Sequence, residues 1–259
     1  MNRIIDTHAH LYYPELLSEL KDILNRAKDN GIEKIIIPAV NLETSLHILK
    51  LTEEHEMLYC AIGIHPGDVK ESSFKDIDEI EKLISHEKVV AIGETGLDYY
   101  WDKSFIEKQK EFFKLQIEIA KDKNLPIVIH TRDSTEDAIN IVRENRNGRL
   151  KGQFHCFSGS IEQLKEITEL KNFYVSFCGN VTYKKNSGDD IVKACPEGKL
   201  LSETDSPFLP PVPYRGKKNE PSYIVKTLEK ISEIRNDDYD KLLEKIFYNS
   251  LELFFPKSI

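Results

Sequence analysis

Six residues of the kinds that bind metals or move protons occur at one kind of place in this chain, the C-terminal end of a short apolar run. His8 and His10 follow Arg3–Asp6, Glu94 follows Val89–Gly93, and His130 follows Pro126–Ile129. His155 follows Gly152–Phe154, and Asp205 lies just past Leu200–Ser202. Imidazole and carboxylate are common ligands of divalent ions. Four imidazoles and two carboxylates suffice for two such ions with one carboxylate bridging. An ion pair of that kind lowers the pKa of a water and stabilises the attacking and leaving oxygens of a displacement. A single buried imidazole is more often a hydrogen-bonded core residue, but six donors at equivalent places reverse that expectation. His65 closes the run Leu58–Ile64 in the same way, although Gly63 and Pro66 suit a structural turn equally well. It is carried forward as a substrate contact.

Bringing these residues to one surface requires parallel strands. Two further runs, Lys34–Val40 and Phe173–Phe177, bring the number to eight, and none alternates strictly. That is the pattern of strands buried on both faces of a parallel sheet. Between them lie amphipathic stretches: Leu16 to Ala27 before a Gly31 stop, Ile77 to Ile84, and Ile106 to Ala120. Ile161 to Leu170 and two tail segments, Ile224 to Ile231 and Leu242 to Leu251, repeat the pattern. The weakest crossover is Ser187–Cys195. Eight strands alternating with helices over this length predict an α/β fold of the (β/α)8 TIM-barrel type, with an open doubly wound sheet as the alternative. In such a barrel every strand C-terminus opens on one mouth. Residues two apart in a strand share a face, so His8 and His10 can both point inward. The same spacing places Asp6 and Glu203 one pleat deeper, as supports, and turns Cys156 outward.

Composition narrows the class. The chain has 259 residues, 40% hydrophobic and 31% charged, which disfavours disorder and a membrane bundle. One domain spanning 1–259 is expected, because no linker or low-complexity segment divides it. Acidic residues outnumber basic ones, 44 to 36, for a net charge of −8. That argues against broad attachment to nucleic acid or anionic lipid, though not against a local basic patch. The four cysteines form no CxxC pair, and the start MNRIIDTHAH has no apolar leader core. Reduced thiols, a cytoplasmic location and no membrane are expected.

The motifs IDTHAHL, GIHPGD, AIGETGLDYYW, PIVIHTRD, FHCFSGS and LSETDSPFLPP with RGKKNEP resemble, in order and over nearly the whole chain, the TatD family of metal-dependent deoxyribonucleases. The resemblance implies a TIM barrel holding divalent cations (Mg, Mn or Zn) that cleaves DNA phosphodiester bonds, as a 3′–5′ exonuclease on single strands. It also implies His8, His10, Glu94, His130, His155 and Asp205 as metal ligands. In the mechanism that follows, Glu94 bridges two ions, His8, His10 and Asp205 hold one, and His130 and His155 help hold the other. Asp205 serves as general base for the attacking water. Arg132, two residues past His130, and Arg215 within Tyr214–Lys218 are expected phosphate contacts, and Tyr99, Tyr100 and Trp101 are expected to stack unpaired bases. A rival keeps the dinuclear site and changes the bond, to D-aminoacyl-tRNA or another ester or amide. A non-catalytic binding barrel requires a degraded ligand set, and all six positions are intact.

Overall fold

The computed structural model describes residues 3–184 and 188–256. Its eight strands, in the order β1 to β8, form one parallel sheet. They are β1 (Ile4–Asp6), β2 (Ile32–Pro38), β3 (Leu58–Ile62) and β4 (Val89–Asp98), then β5 (Ile127–Arg132), β6 (Gly152–Phe154), β7 (Phe173–Phe177) and β8 (Leu200–Ser202). Just past the strand ends the sheet meets itself. Thr7 N–H donates to Ser202 O at 3.3 Å, Asp205 N–H to His8 O at 2.9 Å, and Ala9 bridges Ser206. The expected barrel is therefore present, and the open-sheet alternative is set aside.

The helices cover the outside. They are α1 (Pro14–Leu17), α2 (Leu20–Asp29), α3 (Leu42–Glu54), α4 (Phe74–Leu83) and α5 (Ile106–Lys123). The rest are α6 (Thr135–Asn145), α7 (Ile161–Glu169), α8 (Asp189–Ala194), α9 (Ile224–Arg235) and α10 (Tyr239–Phe254). The apolar face Leu16–Ala27 proves to be two helices, because Glu19 leaves the helical region (φ −118°). Helices α3 and α6 carry no apolar face picked out from the sequence. Asn41 nonetheless caps α3 reciprocally with Thr44, satisfying two backbone donors at its start. Of the expected Ser187–Cys195 crossover, Asp189–Ala194 is helical and Ser187 lies outside the described residues.

Alternation along the strands sorts the core into two layers. Ile35 and Ile37 join the layer packed under the helices, while Ile36 belongs to a second cluster with Ile5, Ala61, Val128 and Leu201. This inner cluster is completed by Phe247, Leu251 and Phe254 of α10, which close the floor of the barrel. Near its upper end the interior turns polar. Gln153 and Ser176 both donate to Glu203 Oε2, at 2.8 and 2.6 Å.

Strand β4 differs from expectation. It runs to Asp98, so Glu94 sits within the strand rather than at its end, and β5 likewise continues past His130 to Arg132. The pairing of β4 with β5 slips between Ile92 and Thr95 and then resumes as far as Asp98–Arg132. Gly93 and Gly96 flank Glu94 at φ +146° and +130°, a region closed to most L side chains. A Cβ on Gly96 would lie 2.2 Å from His130 O. The two glycines let β4 lie close against β5 while presenting Glu94 to the interior. Gly96→Ala is expected to destabilise the fold by about 2–3 kcal/mol, which lowers Tm by roughly 5–10 °C for a chain of this size. Thermal denaturation followed by circular dichroism checks this, and an unchanged Tm would refute it.

Candidate metal centre

Glu94 is the hub of the barrel mouth, with a side chain 3% exposed. Its two oxygens face different sets of imidazoles. Oε2 lies 3.3 Å from His8 Nε2 and 3.8 Å from His10 Nε2. Oε1 lies 2.9 Å from both His130 Nδ1 and His155 Nε2, and 3.5 Å from His65 Nε2. Asp205 adds a carboxylate to the first set, with Oδ1 3.7 Å from His8 and 3.5 Å from His10. All six residues expected from the sequence therefore meet. His65 meets them too: it stands beside Glu94 and His130 as a further potential ligand, with its side chain 19% exposed.

The supports are built from the same strand ends. Asp6 accepts from the backbone of His8 (3.3 Å) and Thr204 (3.0 Å) and from the Thr204 hydroxyl (2.6 Å). It thus ties β1 to the chain beyond β8, and among the described residues its hydrogen bonds go to backbone and the Thr204 hydroxyl rather than to an imidazole. Burial pushes its carboxyl up to about 7, against the pull of those hydrogen bonds. Glu203 is closer to the expected role, since Oε1 faces His155 Nδ1 at 3.5 Å and accepts from Cys156 N–H at 2.6 Å. Cys156 does not turn outward as expected. At φ +45° its thiol lies 2.9 Å from that of Cys178, beside Glu203. The left-handed bend after β6 overrides simple alternation.

Asp98 was missed in the sequence. Its Oδ2 lies 3.1 Å from His130 Nε2, leaving Nδ1 of that ring aimed at Glu94. The signal was the even spacing within GETGLD, which puts Asp98 on the same face as Glu94 if the strand continues. A carboxylate holding the far nitrogen of a ligand imidazole fixes its tautomer and raises its basicity.

The electrostatics follow from this packing. Burial works against the charge on Glu94, yet His155, His65, His8 and His130 around it hold its carboxyl well below the usual range. Burial pulls His8 down and takes His65 down to about 3. His130 and His155 go the other way: burial opposes their charge, but Asp98 and Glu94 raise the first, and Glu94 and Glu203 raise the second well above 6.5. Partial burial works against the charge on Asp205 as well, and contacts with His10 and His8 hold its carboxyl below the usual range.

These residues fit divalent cations. His8 and His10 meet nitrogen to nitrogen at 3.2 Å, and His130 and His155 do so at 3.3 Å. Lone pairs turned toward one another in this way are matched by a cation between them. Three groups of potential ligand atoms, each within 4.8 Å of one another, draw on these seven residues.

Barrel and donor cluster together define the class of (β/α)8 metal-dependent hydrolases. The model of the family described as TatD related DNase matches residues 5–255, and the chain belongs to the TatD family. It is 42% identical over 252 residues to YabD of Bacillus subtilis, an uncharacterized metal-dependent hydrolase, covering 97% of this chain and 98% of that one. It is 32% identical to the similarly described YcfH of Escherichia coli, over 97% and 95% of the two chains. The crystal structure of YjjV, a TatD homologue from Escherichia coli, superposes with a TM-score of 0.92 at 30% identity, covering 97% and 98%. The protein is accordingly a metal-dependent hydrolase. Among the described residues no helix is long and apolar enough to cross a membrane.

The expected substrate contacts lie at the rim. Arg132 and Arg215 are exposed. The patch around Arg215 divides: Lys218 is drawn to Glu19 at 3.0 Å, and Tyr214 stacks on Tyr223 at 3.8 Å. Both fasten the long loop after β8 to its surroundings. Tyr99 donates to Asp137 at 2.8 Å, which leaves Tyr100 and Trp101 as the exposed aromatics of the β4 turn.

Proposed function

We propose that this protein is a deoxyribonuclease that hydrolyses phosphodiester bonds of single-stranded DNA, stepwise from the 3′ end, with two divalent cations. The observation that carries the reading is the division of donors about Glu94. Glu94 Oε2 faces His8 and His10, with Asp205 beside those two rings, and Oε1 faces His130, His155 and His65, an arrangement that would suit two ions sharing one carboxylate. The description of the matching family as TatD related DNase supports the choice of bond. When bound, the cations supply Lewis acidity, lower the pKa of water and offset charge on the phosphate.

The chain's own residues do the rest. Glu94, ionised and buried, sets the spacing of the two donor groups. Asp98 and Glu203 orient His130 and His155 from behind. Asp205 has a side chain 14% exposed, the most open of the two central carboxylates, and is kept ionised by its histidine neighbours. It is placed to accept the proton of the attacking water. The leaving sugar oxygen departs toward the open mouth, where bulk water supplies its proton.

The test is a gel assay of the metal-loaded protein on 5′-labelled single-stranded DNA, with Mg, Mn and Zn tried in turn. A metal-dependent ladder of products shortened from the 3′ end is expected. Intact DNA with every metal, alongside turnover of a D-aminoacyl-tRNA or a simple ester, would replace the phosphodiester reading while leaving the metal centre in place.

A further inference from the structure

Two close contacts at the barrel mouth join ring nitrogens, His8 to His10 and His130 to His155, and a cation matches each. A third contact of like atoms lies beside them and belongs to neither group. The Sγ atoms of Cys156 and Cys178 meet at 2.9 Å. Little is gained by this while both are protonated, because S–H is a weak donor and sulfur a weak acceptor. The other two cysteines are placed differently. Cys60 and Cys195 are buried apart, and their thiols face the carbonyls of Lys88 at 3.5 Å and Pro196 at 3.6 Å. They pack as small apolar residues do. The Cys156–Cys178 pair is not sealed in the core, since Cys156, within FHCFSGS, is only half-buried.

Three consecutive strand ends build this corner. Cys156 follows β6, Cys178 follows β7 and Glu203 follows β8. Phe157 N–H donates to Ser176 O at 2.9 Å and Glu203 N–H to Phe177 O at 3.2 Å, which keeps the three ends in register. The two sulfurs and a carboxylate oxygen of Glu203 all lie within 4.8 Å of one another. Asn180 Oδ1, which accepts from Cys178 at 3.4 Å, adds a neutral oxygen. Glu203 is fully buried, and among the described residues its one ion-pair partner is His155. A histidine that ligates a metal is neutral. With the centre loaded, this buried carboxylate keeps its hydrogen bonds but has no positive side chain against it, a condition that a further cation relieves.

We infer that Cys156, Cys178 and Glu203 form a third cation site, for a thiophilic ion such as Zn2+, and that filling it inhibits the enzyme. Thiolate and carboxylate are ordinary zinc ligands, and thiolates select such soft ions over Mg and Mn. Each thiol gives its proton to water as its sulfur takes the ion, the two sulfurs part to receive it, and no electrons are exchanged. Inhibition follows from Glu203, whose Oε1 accepts from Cys156 N–H at 2.6 Å and faces His155 Nδ1 at 3.5 Å. An ion on that carboxylate withdraws its charge from His155. A ligand imidazole deprived of its carboxylate support costs about ten- to a hundredfold in metal affinity or activity. The inference rests on the metal centre and holds whichever bond the enzyme cleaves.

The probe is Cd2+, a thiophilic stand-in for zinc whose bonds to thiolate give an ultraviolet charge-transfer band that imidazole and carboxylate ligands do not. Protein loaded with Mn2+ and kept reduced is titrated with Cd2+, beside Cys178→Ser and Cys156→Ser. A band that saturates at a single cadmium per chain is expected, with binding at least about tenfold weaker in each variant. Followed by turnover, the same titration should lower kcat/KM of the wild type at least about tenfold as the band grows. The variants should be insensitive over that range. Cadmium that exchanges into the dinuclear centre affects all three proteins alike and adds nothing to the band. With Zn2+ alone, wild-type turnover should rise as the dinuclear centre fills and fall as excess reaches the thiols, and Cys178→Ser should show only the rise.

A band of equal strength in Cys178→Ser would assign the ion to Cys60 or Cys195 and overturn the site. So would the absence of a band in the wild type, or a Cys156–Cys178 disulfide that persists in reducing buffer. A band lost in the variants, with cadmium inhibition equal in all three proteins, would keep the site and overturn its inhibitory role. The band is read without substrate, so a protein inactive on DNA still decides the site.

Discussion

Replacing Glu94 by Gln is expected to lower kcat/KM by at least about a thousandfold and to weaken metal binding, with the barrel still folded. Gln keeps the shape and two polar atoms but removes the charge, and only one of those atoms can still bind a cation. The loss should be large because Glu94 reaches imidazoles of both donor groups, one set through each carboxylate oxygen. Removing any other ligand leaves one group whole, whereas removing this one disrupts the spacing on which the paired-ion chemistry depends. The measurement is turnover on single-stranded DNA at saturating metal, with metal content determined by elemental analysis and the fold by circular dichroism. Turnover near the wild-type value in Glu94→Gln would remove Glu94 from the reaction and the bridged arrangement with it.

Stripping the metal is expected to have the second largest effect, and it reaches stability as well as activity. A ligand at a thousand times its Kd stabilises the folded state by about 4 kcal/mol. For a chain of this size that corresponds to roughly 8–16 °C in Tm, so chelation should lower Tm by about that much and abolish turnover. Restoring the ion should recover both. The effect should depend on pH with a definite sign. In the metal-free chain burial opposes a charge on His155, but Glu94 and Glu203 hold its pKa well above 6.5. The resulting stabilisation is fully present below 6.5 and is lost as pH rises through the raised value. Glu94 is held well below its ordinary 4.5, so its share is present above that value and is lost as pH falls through the depressed one. Metal must displace the His155 proton, so its contribution grows with pH. The gap in Tm between loaded and stripped protein should therefore narrow as pH falls from about 8 to about 6. A gap that stays constant over that range would exclude His155 as a ligand.

Much of this was legible in the residues because a parallel barrel translates order along the chain into position around a ring. Short runs without alternation marked buried strands, and a polar residue just past each run marked the mouth. Gly152–Phe154, Phe173–Phe177 and Leu200–Ser202 coincide with β6, β7 and β8. The weaker readings fell where the backbone leaves regular geometry. Gly93 and Gly96 take conformations that only glycine adopts readily, so β4 continues through a register slip where the sequence suggested an end. Asp98 was hidden for that reason: its side of the sheet could be inferred only if the strand ran on. Cys156 was misplaced because the chain enters the left-handed region just after β6, and counting by twos does not survive such a bend.

The residue types and spacings by themselves determined the fold class, six of the clustered donors and the shared mouth, since hydrophobic burial and the two-residue repeat of a strand act locally and can be counted along the chain. Tertiary structure alone decided how the donors divide. Nothing in the order of residues says that His65 joins His130 and His155 at one oxygen of Glu94 while Asp205 stands beside the His8 and His10 rings that face the other. It equally decided that among the described residues Arg132 and Arg215 lie against aromatic rings with no carboxylate partner while Lys218 meets Glu19. Those outcomes depend on distances of a few ångströms between residues far apart in sequence, and such distances are set only when the barrel closes and its loops pack.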